Sequence, residues 1–559
     1  MSARLPVARA NERDQRPDAV PQGSLLRVAD LQVAYGFGRT RNLALKGVSF
    51  DVGRGEKVAV VGESGSGKST TAHAIMRLLP PGGAVTGGSI TLDGRELTTL
   101  RERQMRDVRG GQIGLIPQDP MSSLNPLTRV GKQLRETLKI HGRLAGNGEE
   151  QVIQLLEQAG LAAARVKDQF PHQLSGGMRQ RVLIASALAC LPRLVIADEP
   201  TSALDVTVQR QILDHIDEIS VRTGASVLFI THDLAVAADR ADRIVVMNGG
   251  QVVEAGTTEE VLGRPADEYT RRLLASAPSL SSTVLFAGVP KSESAPPVVA
   301  VQGLRKVFHS QGEEHVAVAG TSFEIRRGET LAIVGESGSG KSTTARLVLR
   351  LERADAGTIR LNGTDISQRW GESMRPHRRE MQMVYQNPYG SLSPRLTVGD
   401  IIAEPLRIHG LAGKARREQI ARDLLAQVSL DPSMAGRRAA QLSGGQRQRV
   451  AIARALALEP SLIVCDEPVS ALDVTVQAQI LELLARIQRE RQVAYLFISH
   501  DLAVVRQVAH RVLVMSEGQV VEEGVTADVF ASPQAEYTRT LLSAIPGQES
   551  TPNVPVAED

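Results

Sequence analysis

Short apolar runs recur along the chain, and each ends at a glycine-rich or acidic segment. The runs Val58–Val61 and Leu331–Val334 lead into glycine-rich loops, Leu194–Ala197 leads into acidic residues, and Val227–Ile230 leads into Thr-His-Asp. Aliphatic runs of this length, bounded by turn residues, predict strands that are buried on both faces, as in parallel sheets. The alternating apolar residues between Leu26 and Tyr35 predict further strands at the start of the chain.

Segments with helical signals separate these strands, including Leu174–Ala189 and Val206–Ile219. This alternation predicts an α/β fold built on a mainly parallel sheet. Ligands of such sheets bind at the carboxyl ends of the strands. We therefore expect Asp198, Glu199 and His232, which each follow a predicted strand, to face a phosphate site.

The loop Gly62–Thr70 spells G-x-x-x-x-G-K-[ST] directly after a predicted strand, which is the pattern of a P-loop. In such a loop the glycines let backbone N–H groups face phosphate oxygens, and the positive end of the following helix adds to the attraction. Lys68 is expected to reach the β- and γ-phosphates, and the Ser69 hydroxyl suits Mg²⁺. The same nine residues recur from Gly335 to Thr343, so the chain is predicted to bind nucleotide twice.

The second half of the chain repeats the first at a constant spacing. Lys341 follows Lys68 by 273 residues, and after a net deletion of five residues the offset is 268 from Gln386 through Tyr537. Constant spacing over this length indicates two copies of one domain. The predicted organisation is a tail over 1–25, a domain over 26–278, a linker over 279–298, a second domain over 299–546 and a tail over 547–559.

Composition agrees with parallel-sheet domains, since 42% of the residues are hydrophobic but only 3% are aromatic. No stretch approaches the ~18 uncharged apolar residues of a membrane span, and the Arg- and Pro-rich start lacks the apolar region of a signal peptide. A formal charge of +3 does not indicate a nucleic-acid partner. Cys190 and Cys465 lie in apolar runs and are predicted to be core residues. We expect a soluble chain in a reducing, intracellular compartment.

Hydrolysis of a phosphate anhydride requires positioning, charge neutralisation and a group that orients water. In the first copy, Asp198 is a candidate for the Mg²⁺ shell, Glu199 for the base that acts on water, and His232 for a contact to the γ-phosphate. Capping or ion pairing is the alternative for the acids, and a hydrogen-bonded core position is the alternative for the histidine. The second copy repeats these residue types as Asp466, Glu467 and His500.

Together these motifs resemble the ATP-binding subunits of ABC transporters. The resemblance rests on the P-loops, Gln118, the Leu-Ser-Gly-Gly segment that starts at Leu174, the Asp-Glu-Pro segment, Ala203-Leu-Asp205 and His232. It implies two α/β P-loop domains, each with a mainly parallel core sheet, an antiparallel β subdomain and a helical subdomain. It also implies that the two domains pack head to tail as an intramolecular pseudo-dimer, with each ATP between one P-loop and the opposite Leu-Ser-Gly-Gly segment.

The resemblance assigns roles residue by residue. The residues expected to bind ATP are Tyr35, Gly62, Ser64, Gly65, Gly67, Lys68, Ser69, Thr70, Ser175, Gly176 and Gly177 in the first copy, and Phe308, Gly335, Ser337, Gly338, Gly340, Lys341, Ser342, Thr343, Ser443, Gly444 and Gly445 in the second. Those expected to act in hydrolysis are Gln118, Glu199, His232, Gln386, Glu467 and His500, and those expected at Mg²⁺ are Ser69, Gln118, Asp198, Ser342, Gln386 and Asp466. The aromatic residues would stack on adenine, with a core position as the alternative.

The two copies differ in the helix that follows Leu-Ser-Gly-Gly. Met178 stands where the second copy has Gln446, and Ser186 stands where it has Arg454. Because of these differences, the sequence does not establish that the two sites hydrolyse ATP at equal rates. Because both copies keep Lys, Asp, Glu and His, we predict two competent sites.

Two further stretches resemble the oligopeptide, dipeptide and nickel importers. They are the segments 118–126 and 386–394, and the domain endings 268–278 and 536–546. The first copy resembles the D-type ATPase of such systems and the second the F-type, fused here as in some bacterial peptide, glutathione and microcin importers. Some relatives carry an iron–sulfur cluster on C-terminal cysteines, and none is expected here because no cysteine follows Cys465.

The resemblance thus implies an ATPase at the cytoplasmic face of the bacterial inner membrane that energises import of peptides or peptide-like solutes. Its partners would be two transmembrane permeases and, indirectly, an extracytoplasmic substrate-binding protein. Import of nickel or another small solute is the alternative within this group. A soluble twin-ABC ATPase acting on ribosomes or nucleic acid is a further alternative, but such proteins usually join their domains by a long charged helix, whereas residues 279–298 are short and rich in Ser and Pro.

Overall fold

A computed structural model describes residues 23–36, 41–119, 123–201, 204–277, 284–286, 296–310, 313–470 and 472–545. In each half of the chain, the described residues form a four-stranded antiparallel sheet and a six-stranded, mainly parallel sheet. Helices cover the parallel sheets, so the predicted α/β class is confirmed. Among the described residues, no helix combines the length and apolar character that a membrane crossing requires.

The first domain follows the predicted alternation of strands and helices. Its strands are β1 (Ser24–Tyr35), β2 (Asn42–Gly53), β3 (Lys57–Val61), β4 (Gly83–Leu92), β5 (Arg95–Glu96), β6 (Ile113–Ile116), β7 (Leu194–Asp198), β8 (Ser226–Thr231), β9 (Arg243–Asn248) and β10 (Gln251–Thr257). Its helices are α1 (Lys68–Ile75), α2 (Glu102–Val108), α3 (Val130–Ile140), α4 (Glu149–Gln158), α5 (Ala163–Val166), α6 (Gly176–Leu188), α7 (Val206–Thr223), α8 (Leu234–Arg240), α9 (Thr258–Gly263) and α10 (Glu268–Ser276).

The second domain repeats this order. Its strands are β11 (Val299–Ser310), β12 (Glu313–Ile325), β13 (Thr330–Val334), β14 (Ala356–Leu361), β15 (Thr364–Asp365), β16 (Met381–Val384), β17 (Leu462–Asp466), β18 (Ala494–Ile498), β19 (Arg511–Ser516) and β20 (Gln519–Val525). Its helices are α11 (Lys341–Val348), α12 (Arg375–Glu380), α13 (Pro388–Ser391), α14 (Val398–Ile408), α15 (Lys414–Gln427), α16 (Gly444–Leu456), α17 (Val474–Arg491), α18 (Leu502–Val508), α19 (Thr526–Ala531) and α20 (Glu536–Ser543).

The parallel sheet of the first domain has the order β10-β9-β3-β8-β7-β6, with β10 antiparallel to β9. Strands β7 and β8 are buried along their whole length, as their unbroken apolar runs predict. Because β3, β8 and β7 are parallel neighbours, their carboxyl ends lie at one edge of the sheet. This edge carries the P-loop, the acidic pair and the histidine, and the second domain has the same arrangement on β13, β18 and β17.

A helical subdomain stands beside each parallel sheet. In the first domain, α3 buries Val130, Leu134 and Leu138 at four-residue intervals. This spacing places them on one face of the helix. Val130 and Leu134 share an apolar cluster with residues of α4 and α6. The subdomain is therefore attached to the site through α6, which begins at the Leu-Ser-Gly-Gly segment.

The start of the chain differs slightly from the prediction. β1 begins at Ser24, and Leu25 is buried, although both residues belong to the predicted tail over 1–25. Pairing of Ser24 with Gly53 extends the strand beyond the alternating residues. Residues 1–22 of that tail, and the predicted tail over 547–559, lie outside the described residues.

Part of the predicted linker packs against the second domain. Phe286 is only 6% exposed and belongs to the main apolar cluster of that domain. Its ring meets the His510 ring edge-on at 5.8 Å between centroids, and the N–H of Leu285 donates to the Gln507 carbonyl at 2.9 Å. A segment whose composition is typical of a loose linker therefore contains an aromatic residue that is anchored in the core of the second domain.

Replacing Phe286 with alanine is expected to destabilise the second domain by about 3–5 kcal/mol, because the change removes a buried ring and leaves a cavity. Calorimetry of the full chain would detect this as a lower unfolding temperature for one transition. The matched control is Val284→Ala, two residues away on a half-exposed side chain. Equal unfolding temperatures for the two variants would contradict the anchoring role.

Candidate active sites

Both P-loops have backbone conformations that require glycine. Gly62 has a φ of 147°, and a Cβ at this position would lie 2.2 Å from the Met247 carbonyl oxygen. Gly67 has a φ of 106° and is the N-cap of α1. Gly335 and Gly340 repeat these angles at 146° and 102°. The chain therefore turns sharply from each central strand into the N-terminus of a helix, which is the geometry that binds phosphate.

The P-loop lysines are buried within their own loops. Lys68 is 5% exposed, and its Nζ donates to the carbonyl oxygens of Gly62 at 2.6 Å and Glu63 at 2.9 Å. Burial lowers the pKa of Lys68, although Glu199 and other nearby carboxylates oppose the shift. Lys341 donates in the same way to the carbonyls of Gly335 and Glu336, at 2.7 Å each.

A buried acid lies at the end of the strand beside each P-loop. The Ser69 hydroxyl donates to Asp198 at 3.0 Å, and the Ser342 hydroxyl donates to Asp466 at 3.2 Å. Burial raises the pKa of each aspartate, against the effect of these hydrogen bonds. A hydroxyl beside a carboxylate is an oxygen donor set that suits Mg²⁺. The structure thus brings the predicted metal residues Ser69 and Asp198 together.

The predicted base, glutamine and histidine form one cluster. Glu199 accepts from Gln118 Nε2 at 2.6 Å and pairs with His232 Nδ1 at 3.2 Å. Burial alone would raise the pKa of Glu199, but the hydrogen bond and charge of His232 outweigh it and hold the pKa below its usual range. The second domain repeats both distances for Glu467, with Gln386 and His500.

Glu199 and Glu467 also share an unusual backbone conformation. Their φ angles are 45° and 46°, in the left-handed region that residues with a side chain rarely adopt. The Glu199 N–H donates to the Ile230 carbonyl at 2.8 Å, which holds the residue at the end of β8. Such conformations cost free energy and persist only where the surrounding structure stabilises them. They are concentrated at functional sites.

Each P-loop also contacts the other domain. The N–H of Ser64 donates to Asp473 Oδ1 at 2.5 Å, and the N–H of Ser337 donates to Asp205 Oδ1 at 2.7 Å. These reciprocal contacts define a head-to-tail arrangement of the two domains.

The Leu-Ser-Gly-Gly segments lie next to these cross-domain aspartates. Ser443 caps α16 by accepting from the Gln446 N–H at 3.3 Å. A Cβ on Gly445 would lie 2.4 Å from Val476, close to the start of α17 that follows Asp473. The segment therefore packs on the element that reaches the opposite P-loop. Among the described residues, no hydrogen bond joins Ser175 or Ser443 directly to that loop.

The two Leu-Ser-Gly-Gly helices are capped differently. Gln446 Oε1 accepts from the Ser443 N–H at 3.0 Å, which completes a reciprocal capping box. Met178 cannot accept such a bond and instead packs on the helical subdomain. Arg454 donates to the Ser391 carbonyl at 2.7 Å, whereas Ser186 lies 3.4 Å from the Thr137 hydroxyl. The sequence differences thus have local structural counterparts.

The predicted adenine-stacking residues have unequal surroundings. Tyr35 is half-buried against the first-domain core, and a Cβ on Gly83 would lie 2.6 Å from its ring. Phe308 is 38% exposed, with Lys306 Nζ 5.2 Å from its ring centroid. The stacking roles remain predictions.

The remaining predicted residues lie where their motifs place them. Gly65 and Gly338 turn the tips of the P-loops with φ of 79° and 86°, Thr70 and Thr343 lie in the first turns of α1 and α11, and Gly176 and Gly444 begin α6 and α16. Cys190 and Cys465 are buried core residues, as predicted.

Sequence reasoning assigned no role to the residues that reach across the domain boundary. In the sequence, Asp205 is marked only as the last residue of the Ala203-Leu-Asp205 motif, and Asp473 is its counterpart 268 residues later. Thr475 donates to the Glu63 carboxylate, as Thr207 does to Glu336, and neither threonine was singled out. The shared 268-residue offset of both pairs was the available signal.

Comparisons with known proteins match both halves of the chain. The family model "ABC transporter" matches residues 45–202 and 318–470, and the model "Oligopeptide/dipeptide transporter, C-terminal region" matches residues 253–303 and 521–553.

Two curated proteins are similar over nearly their whole length. The peptidoglycan transport ATP-binding protein YejF of Agrobacterium fabrum is 46% identical over 93% of this chain and 96% of its own. The glutathione import ATP-binding protein GsiA of Escherichia coli is 44% identical over 95% of this chain and 91% of its own. A solved structure of the dimeric ATP-binding cassette MJ0796 with ADP and Pi is 31% identical over 42% of this chain and 98% of its own, with a TM-score of 0.39.

Proposed function

The chain belongs to the ABC transporter family, and we propose that it powers a bacterial importer of peptides or peptide-like solutes by closing its two domains on two molecules of ATP. The observation that carries this proposal is the duplicated set of lysine, aspartate, glutamate and histidine, with each P-loop hydrogen-bonded to the opposite domain. A P-loop site shared between two domains can couple nucleotide binding to their relative position.

The residues of each site have separate tasks in this proposal. Lys68 would exchange its two carbonyl acceptors for phosphate oxygens, and the N-terminus of α1 would add its positive field. Glu199, ionised because its pKa is held low, would accept a proton from the attacking water. His232 would keep that carboxylate oriented and reach the γ-phosphate. The second site would use Lys341, Glu467 and His500 in the same way.

Mg²⁺ fits the oxygen donors of each site. Ser69 and Asp198 would hold it in the first site, together with the amide oxygen of Gln118, whose nitrogen is already bonded to Glu199. Ser342, Asp466 and Gln386 would hold it in the second. Bound there, the ion would neutralise charge on the phosphate oxygens.

The cargo class is supported by the C-terminal regions of both domains. Both match the oligopeptide/dipeptide transporter model, and the similar proteins are named for transport of peptidoglycan and import of glutathione. Two transmembrane permeases would bind the chain at the cytoplasmic face of the membrane, and an extracytoplasmic binding protein would deliver the solute. Closure on ATP would then move the helical subdomains and, through them, the permeases.

The test is ATP hydrolysis by this chain assembled with its two permeases in lipid. Binding protein loaded with a short peptide or with glutathione is expected to stimulate hydrolysis, and binding protein without solute is the control. If only the nickel-loaded binding protein stimulates hydrolysis, the proposed cargo is nickel and not peptides. Failure of the permeases to associate with the chain would contradict the importer function itself.

A further inference from the structure

A tyrosine from each C-terminal region reaches back to the P-loop of its own domain. Tyr269, in the first turn of α10, accepts a hydrogen bond from the Glu63 N–H at 3.0 Å through its hydroxyl. Tyr537, in the first turn of α20, accepts from the Glu336 N–H at 3.1 Å. The contact joins residues more than 200 positions apart and occurs twice. It is therefore a repeated feature of the fold and not a local accident of one loop.

The bonded N–H belongs to the peptide unit that also holds the P-loop lysine. The carbonyl of this unit is that of Gly62, which accepts from Lys68 Nζ at 2.6 Å. Because C=O and N–H point in opposite directions across a trans peptide, Tyr269 holds the unit from the side opposite the lysine. The orientation of the unit is thus fixed even when Lys68 moves toward a phosphate.

The adjacent P-loop residue is held by the other domain. The Ser64 N–H donates to Asp473, and the Glu63 carboxylate accepts from Thr475, both at the start of α17. Helix α10, which carries Tyr269, also packs against α17. The tyrosine therefore lies where its own P-loop, its C-terminal helix and the opposite domain meet.

The tyrosine ring is fixed by its surroundings. Tyr269 is 8% exposed and belongs to the same apolar cluster as Val61, the last residue of β3. Tyr537 packs against the corresponding cluster of the second domain. Burial raises the pKa of Tyr269, so the hydroxyl stays protonated at neutral pH. A rigid, neutral hydroxyl is a suitable permanent acceptor for a backbone N–H.

We infer that Tyr269 and Tyr537 are positioning residues that hold the P-loops in their phosphate-binding conformation and tie the C-terminal regions to ATP binding. This inference rests on the proposed function of the P-loops. It gives the C-terminal regions a role in ATP binding, in addition to any role that they have in transport.

The test compares Tyr269→Phe, Tyr537→Phe and the double variant of the full chain in equilibrium ATP binding and steady-state hydrolysis. Phenylalanine keeps the ring but leaves the P-loop N–H without its acceptor. We expect the affinity of the altered site for ATP to fall about fivefold to tenfold, and KM to rise accordingly, while kcat stays within about twofold. Amide exchange at the P-loop is expected to accelerate in the altered domain alone.

The matched control is Tyr495→Phe, which also removes a buried tyrosine hydroxyl, one that donates to the Leu484 carbonyl at 3.2 Å. This residue lies near the amino end of β18, away from the P-loop edge. The Tyr495→Phe variant is expected to lower the free energy of unfolding without changing KM for ATP. If the Tyr269 and Tyr537 variants match Tyr495→Phe in affinity, KM and amide exchange, the positioning role is wrong.

The lysine variants separate this inference from the proposed function. If Lys68→Ala and Lys341→Ala abolish binding while the tyrosine variants bind ATP normally, the positioning role alone is overturned. If the unaltered chain binds no ATP, both the positioning role and the proposed function are overturned.

Discussion

Replacing Glu199 and Glu467 together with glutamine is expected to reduce ATP hydrolysis by about 10²–10³-fold and to leave ATP binding intact. Glutamine has nearly the same shape but cannot take a proton from water, and loss of a general base costs rates of this order. The N–H and C=O groups of the P-loop are untouched by the change, so affinity is retained. Phosphate release and equilibrium nucleotide binding, measured on the same preparation, would separate the two effects.

The single variants report on the individual sites. Glu199→Gln should inactivate the site built on the first P-loop, and Glu467→Gln the site built on the second. The two helices that begin at Ser175 and Ser443 are capped differently, so unequal residual rates would identify the more active site.

The control for the glutamate variants is Glu459→Gln. Glu459 is exposed and also has a positive φ, of 50°, but it lies before β17, at the opposite edge of the sheet from Glu467. The Glu459→Gln variant should hydrolyse ATP at the rate of the unaltered chain. Full turnover in the double glutamate variant would exclude both residues as bases.

Much of the parallel sheet and of each site could be predicted because the information is local. A buried strand has a short apolar run, and the residue after the run lies at the carboxyl edge. Asp198 is the last residue of β7 and His232 follows β8, so their meeting at one edge required only that the strands be parallel neighbours. The P-loop conformation is likewise fixed by its glycines.

The long-range contacts of the P-loops, both within a domain and between the domains, could not be predicted in this way. Ser64 and its acceptor Asp473 are 409 positions apart, and Glu63 and Tyr269 are 206 apart. Their pairing depends on how whole domains and C-terminal helices pack, which no local period encodes. Phe286 is a similar case, since tertiary packing places a single ring in the core although the surrounding composition is typical of a linker.

Replacing Lys68 and Lys341 together with alanine is expected to remove measurable ATP binding. Each lysine is the buried cation of its P-loop, and its charge-assisted hydrogen bonds to phosphate would be lost. We expect a loss of about 10²-fold or more in affinity at each site. Equilibrium binding of a fluorescent ATP analogue to the full chain would measure it, and hydrolysis should fall in parallel.

A lysine at the other end of the same strand supplies the control. Lys57 begins β3 and pairs with Asp217, whereas Lys68 follows the end of β3. Lys57→Ala therefore removes one positive charge and one ion pair from the same domain without touching the phosphate edge, and it should bind ATP like the unaltered chain. If the double variant also kept its affinity, the P-loops would not be the ATP sites. The roles of Glu199 and Tyr269 would then lose their basis, since Glu199 is assigned to the water that attacks bound ATP and Tyr269 to the P-loop that binds it.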